Sequence, residues 1–263
     1  MVPSPSRSQD GVPTAVLVPA SSLALTGDVD SNSPAVWDLV EGRRRLHVVT
    51  SIDGQPSLSS GSKLTRLSSA RTVSFQSHPG HGLWMEAIVA DEGGTWYGYY
   101  HHEEPADFCR RPERTIARIG AARSSDRGET WEDLGTILEA PPGWYYCGTP
   151  NAYFVGGVGD LSVMLDGDAH YLYVFFSQYS RSSTGQGVGV ARMPWADRDD
   201  PAGQLSVWVA GVWQPARQTL RMVGDQIIEG GIYPPGTSLI PVRRPWHDQD
   251  PVNDVFWGPS VHW

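Results

Sequence analysis

Trp84-Met-Glu-Ala-Ile-Val-Ala-Asp91, then Glu92-Gly-Gly94, then Thr95-Trp-Tyr-Gly-Tyr-Tyr-His-His102 is the stretch on which the fold turns. An apolar run ends in an acidic, glycine-bearing turn, and an aromatic-rich run follows. That is the chemistry of a β-hairpin. The same order recurs on both sides. Upstream, Asn32-Ser-Pro-Ala-Val-Trp-Asp38 leads through a charged turn to Arg45-Leu-His-Val-Val-Thr-Ser51. Downstream, Gly159-Asp-Leu-Ser-Val-Met-Leu-Asp166 leads through Gly-Asp-Ala to His170-Tyr-Leu-Tyr-Val-Phe-Phe-Ser177. Third strands follow at Arg118-Ile-Gly-Ala-Ala-Arg-Ser124 and Gly187-Val-Gly-Val-Ala-Arg-Met193, and 131–138 and 205–209 supply fourth strands. Four strands per unit, repeated at roughly 50 to 75 residues without a long helical period, is the pattern of β-propeller blades.

A further strand start is expected at Phe256-Trp-Gly-Pro-Ser-Val-His-Trp263, where the chain stops. The pattern therefore predicts three complete blades and part of another in a C-terminally truncated chain. Residues 1–11 read as a disordered tail, and 12–263 as one incomplete propeller domain. A strand over 12–25 would complete the last blade. The plain alternative is an irregular β-sandwich.

Net charge is −9, which disfavours a polyanionic partner such as nucleic acid. No stretch approaches the roughly 18 apolar residues of a membrane span, and the start lacks the basic leader of a signal peptide. Two cysteines, Cys109 and Cys147, allow at most one disulfide. The 11 tryptophans could serve as stacking platforms for sugar rings or as packing between sheets. The sequence has no phosphate-binding glycine loop and no Gly-x-Ser-x-Gly elbow.

Ser124-Ser-Asp-Arg-Gly-Glu-Thr-Trp131 fits Ser-x-Asp-x-Gly-x-Thr-Trp, the Asp-box turn of sialidases and related propellers. Asp126 caps turn amides, Gly128 supplies a positive φ and Trp131 plugs the blade, so its role is structural. Asp38, Asp91 and Asp166 are expected to form hairpin turns. The chemistry is expected where the first strands of successive blades begin. Asp28, Asp30 and Asn32 stand near the first start, Glu86 at the second and Asp160 at the third. Glu86 lies in an apolar strand, where an unpaired carboxylate is costly. Carboxylates converging on one axial pocket suit glycoside hydrolysis, with one group protonated and the other ionised. His101 and His102 point to opposite faces, so one of them can reach a given pocket. Their spacing is no metal motif. With Tyr146, Asn151 and His262 they are candidates to contact sugar hydroxyls. Tyr145 belongs to the same loop as Tyr146.

Asn32-Ser-Pro-Ala, Trp-Met-Glu86-Ala, Arg118-Ile-Gly-Ala-Ala-Arg, the Asp-box, Gly159-Asp160 and Trp257-Gly-Pro-Ser-Val-His-Trp together resemble bacterial propeller proteins related to the five-bladed glycosidases. Those are enzymes of arabinanase, xylosidase and invertase type. The resemblance implies a five-bladed ring and a catalytic trio of base or nucleophile, acid, and tuning residue. Matched by blade, the trio is Asp30, Glu86 and Asp160. The arabinanase-type trio has Asp in the middle and Glu third, so the resemblance leaves the acid unassigned. The sialidases' opening Arg-Ile-Pro is missing, which places sialidase activity below the broader glycosidase reading. Such propellers often hold a channel calcium, but the sequence shows no definite calcium loop, and no cofactor is expected. A non-catalytic glycan-binding propeller and a protein-interaction propeller remain as alternatives.

Overall fold

The computed structural model describes residues 25, 28–76, 82–111, 113–150, 153–181, 183–216, 221–223, 226–229, 236–242 and 257–261. Their chain order is a succession of antiparallel units. The first contains β1 (Ala35–Val40), β2 (Arg43–Ile52), β3 (Gln55–Lys63), β4 (Arg66–Leu67) and β5 (Arg71–Thr72). β6 (Ser74–Gln76) then leaves it. The second contains β7 (Leu83–Ala90), β8 (Trp96–Pro105), β9 (Thr115–Ser124) and β10 (Thr130–Leu138). The third contains β11 (Phe154–Leu165), β12 (Tyr171–Tyr179), β13 (Gln186–Pro194), β14 (Ser206–Val209) and β15 (Val212–Pro215). A hairpin of β16 (Arg221–Val223) and β17 (Gln226–Glu229) follows, and β18 (Ile240–Pro241) adds to β13. The fold is all-β. Among the described residues there are short 3-10 turns but no α-helix, and no helix long and apolar enough to cross a membrane.

The hairpins form for the expected reason. Thr95 N–H donates to Asp91 Oδ1 (2.9 Å) and His170 N–H to Asp166 Oδ1 (2.7 Å), so each Asp closes its own turn. Asp38 departs from that role. It lies within β1, and its side chain pairs with Arg127 of the second unit's Asp126 turn. The tight turn after β1 is made by Glu41 and Gly42, both at positive φ.

Units are joined in two ways. β6 runs parallel to β10, so the chain leaving the first unit adds an edge strand to the second. β11 likewise pairs in parallel with β9 through Phe154 and Thr115. Between the sheets lie two apolar layers. Val49, Leu58, Met85, Trp96, Tyr100 and Trp131 fill the space between the first two units. Tyr97, Tyr99, Ile119, Leu161, Leu172 and Phe176 fill that between the second and third. Strand alternation in β8 sends Trp96 and Tyr100 one way, Tyr97 and Tyr99 the other.

Two expectations are corrected. The third unit's inner strand begins at Phe154, not Gly159, so Asp160 lies well inside it. Residues 257–261 form no strand. They instead donate Gly258 N–H to Ser177 Oγ (2.9 Å) and Val261 N–H to Ser162 Oγ (3.3 Å), so side-chain hydroxyls take backbone bonds that a ladder would need. Residues 1–24, Phe256 and Trp263 lie outside the described residues.

Candidate active site

Glu86 and Asp160 occupy matching irregularities. In the β7–β8 ladder Met85 faces Tyr100 and Ala87 faces Tyr99, so Glu86 is an extra, bulged residue. In the β11–β12 ladder Gly159 faces Ser177 and Leu161 faces Phe176, so Asp160 is the extra residue there, with φ +35. A bulge re-aims one side chain without disturbing the apolar alternation around it. Positive φ is uncommon for a residue with a Cβ and marks a constrained position.

The bulges bring the two carboxylates together with His101. One donor atom from each of Glu86, His101 and Asp160 lies within 4.8 Å of the others. His101 arrives because it shares the parity of Tyr97 and Tyr99 and so faces the third unit. His102 faces the other way, with Nδ1 3.7 Å from Glu104 Oε1. Gly159 is needed here, since a Cβ would stand 2.9 Å from His101 Nε2.

Each carboxylate has its own environment. Asp160 Oδ2 accepts the Tyr179 hydroxyl (2.5 Å), and its Oδ1 is 3.4 Å from His101 Nδ1. Burial works to raise its pKa, but the His101 and Tyr179 interactions outweigh that and hold it below its ordinary value. Burial likewise opposes a charged His101, yet the bond to Asp160 and the nearby carboxylates raise its pKa. Each partner therefore favours the charged form of the other. Glu86 is 4% exposed. Burial pushes its carboxyl up to about 7; His101 and the Asn32 N–H pull down and Asp160 pushes further up. Its Oε2 accepts the Asn32 backbone N–H (3.0 Å), while Oε1 is buried without a hydrogen-bond partner. The proton of the neutral form therefore belongs on Oε1.

Asp30 stands at the exposed side, where Trp84 Nε1 donates to its Oδ1 (2.8 Å). Trp84 also packs on His101, with ring centroids 5.4 Å apart. Asn32 is tied down by Nδ2 donating to the Leu161 carbonyl (2.9 Å). Asp30, Asn32, Glu86 and Asp160 line one open cavity of about 330 Å3, joined by Trp257 and Gly258. Asp28 is exposed and is not part of that lining.

The structure thus brings together Asp30, Asn32, Glu86, Asp160 and His101 among the residues singled out from sequence. Tyr146 lies elsewhere, under the Arg181 guanidinium, 4.7 Å from ring centroid to Cζ. Asn151 and His262 fall outside the described residues. Sequence reasoning missed Tyr179 and Trp257. Tyr179 ends an aromatic strand that reads as core, and nothing local marks its hydroxyl as a partner of Asp160. It also found no third ligand near the histidine pair; the donors come from three different strands, which spacing along the chain does not reveal.

No family model matches the sequence, and no curated protein matches it. Solved structures similar to it include a thermostable family-43 glycoside hydrolase, at 11% identity over 68% of this chain and 52% of that one, with TM-score 0.41. Another is the endo-arabinase from Bacteroides thetaiotaomicron, at 16% identity over 72% and 61%, TM-score 0.41. An N-acetylgalactosamine deacetylase from F. plautii is similar at 12% identity over 68% and 55%, TM-score 0.42. The chain spans between 52% and 61% of the length of these three structures.

Proposed function

We propose that this chain hydrolyses a glycosidic bond in the cavity of Asp30, Glu86 and Asp160, and that its units are successive blades of a propeller, five-bladed by resemblance. The observation that carries the activity is Glu86. It is a buried carboxyl raised to about 7 that lines a cavity holding a second, more acidic group. A group poised near neutrality is what general-acid catalysis at a leaving-group oxygen requires.

The roles follow from partners. Glu86 donates its carboxyl proton to the departing glycosidic oxygen. Asp160 has both oxygens engaged by Tyr179 and His101, so it is the tuner whose charge helps keep Glu86 protonated. Asp30 is exposed, with one oxygen held by Trp84, and is the base that takes a proton from the attacking water. Asn32 orients Glu86 through its backbone N–H.

A second reading rests on one observation. Glu86, His101 and Asp160 offer three donor atoms within 4.8 Å, and Glu86 Oε1 and His101 Nε2 have no hydrogen-bond partner. A nitrogen with two carboxylates suits Zn2+ or Mn2+ better than Ca2+, and such an ion would supply Lewis-acid assistance to hydrolysis. That reading needs a neutral His101, whereas its neighbours favour the imidazolium.

A panel of chromogenic glycosides, assayed with the parent protein and Glu86→Gln, before and after chelation, separates the two. Release lost by at least ~100-fold in the variant and untouched by chelation supports the glycosidase reading. Release abolished by chelation and restored by Zn2+ or Mn2+ supports the metal reading. Unchanged turnover in Glu86→Gln sinks both assignments of that residue.

A further inference from the structure

The end of the first sheet that lies away from the carboxylate cavity is strongly basic. β1 is six residues long, roughly 20 Å, and leads from the Asn32 end to the turn at Glu41 and Gly42. Directly after that turn β2 opens with Arg43, Arg44 and Arg45. The return from β3 to β4 sets Lys63 opposite Arg66 at the same end. Gly61 makes that return tight, since a Cβ there would collide with the Arg66 carbonyl oxygen. Five of the chain's 20 Lys and Arg residues thus gather at one end of one sheet, in a chain of net charge −9.

These cations lack counter-charges. All five residues are exposed, and among the described residues none has an ion-pair partner. Asp38, opposite Arg45 in the β1–β2 ladder, is bonded to Arg127 instead. Like charges directly opposite in a ladder, as at Lys63 and Arg66, destabilise it. Arg43, Arg44 and Arg45 line an open cavity of about 330 Å3 with Gly61 and Ser62, and Glu41 is its one acidic lining residue among those described. Alternation along β2 would part Arg44 from its neighbours, yet at the strand's end all three reach this cavity. Arg44 is also held in place, with its Cζ 4.8 Å from the Trp37 ring centroid. Stacking uses the face of a guanidinium and leaves its in-plane N–H groups to a ligand.

We propose that this cavity binds a phosphate- or sulfate-type oxyanion. Guanidinium groups match the oxygens of such anions with several charge-assisted hydrogen bonds at once. The negative charge of the rest of the chain repels an extended polyanion, but a single group seated in a local basic pocket meets the pocket's own field. The cavity volume is in the range of sites for small organic ligands, so there is room for a molecule that carries the anion as an ester. The site is separate from the Glu86 cavity, and neither reading stands on the other.

The chain is titrated by calorimetry with sodium phosphate, sodium sulfate and phenyl phosphate at neutral pH, with ionic strength held constant by sodium chloride. At least one of the three should bind saturably, with Kd of about 1 mM or tighter. Arg45→Gln should weaken that binding ~10-fold or more, and Arg43→Gln should act alike, so the reading does not hang on the folding of one variant. Arg110→Gln removes the same charge from an exposed position outside the cavity and should leave affinity unchanged. Tighter binding of phenyl phosphate than of inorganic phosphate would support an ester as the natural ligand, and equal binding the free ion. No saturable binding of any of the three, equal weakening by Arg110→Gln, or the same heat from added chloride alone would each overturn the proposal.

Discussion

A single protonation carries the chemistry assigned to Glu86. Its carboxyl ordinarily titrates at 4.5 and is raised to about 7 in the fold, by burial first. Between those values the folded state holds a proton that the unfolded chain has released. Stability therefore falls as pH rises through that window, by about 3 kcal/mol in all. Glu86→Gln removes this dependence. The difference in urea midpoint between variant and parent should shift towards the variant from pH 5 to pH 8. A constant difference would mean that Glu86 is not a buried acid. The same ionisation predicts a basic limb near pH 7 in kcat/KM, read with any substrate that the glycoside panel identifies. The residue types at Glu86 and Asp160 stood out in the sequence as candidates, because a carboxylate in an apolar strand costs energy unless it is paired or used. Their proposed division into acid and tuner did not. It depends on the Tyr179 hydroxyl and on His101, which come from two other strands.

At the scale of elements, the turn between β9 and β10 behaves as its sequence reads. Asp126 Oδ1 accepts the N–H groups of Glu129 (3.1 Å) and Thr130 (2.9 Å), and its Oδ2 accepts Thr130 Oγ1 (2.6 Å). At Gly128, with φ +84, a Cβ would stand 3.1 Å from Trp96 Cζ3 and crowd the ring. Trp131 is fully buried against the same layer. Asp126→Ala should cost about 1–3 kcal/mol of unfolding free energy. It should leave turnover unchanged at temperatures where the protein stays folded, because His101 lies five residues along β8 from Trp96, roughly 16 Å away. A loss of activity larger than the loss of folded protein would show that the turn reaches the site. The bulges at Glu86 and Asp160 are the opposite case. Nothing in Trp-Met-Glu-Ala or Gly-Asp-Leu-Ser announces an extra residue, since a bulge is a relation between two strands.

At the scale of the molecule, stability comes from the layers between units and from one covalent tie. Cys109 follows β8 and Cys147 precedes β11, and their disulfide closes 38 residues of chain. Chain entropy assigns such a loop about 3–4 kcal/mol. Reduction should lower Tm by roughly 10 °C in scanning calorimetry. An unchanged Tm with both thiols confirmed free would mean that the loops around them are held by packing alone. Arg111 makes that alternative concrete, since its Nη1 already bonds the Cys147 carbonyl (3.1 Å).

Alternation, turn residues and composition are local properties, and they determined the all-β class, most strands and the hairpin order. They also determined that His101 and His102 face opposite ways, because the period of a strand is two. Only the tertiary structure decided which of them meets Asp160, since that depends on which unit lies on each side of β8. It alone revealed the two bulges, the seating of Asn32 on Leu161 across 129 residues, and Trp257 at the cavity. These are contacts between distant segments, and their energies depend on packing that no window of sequence contains.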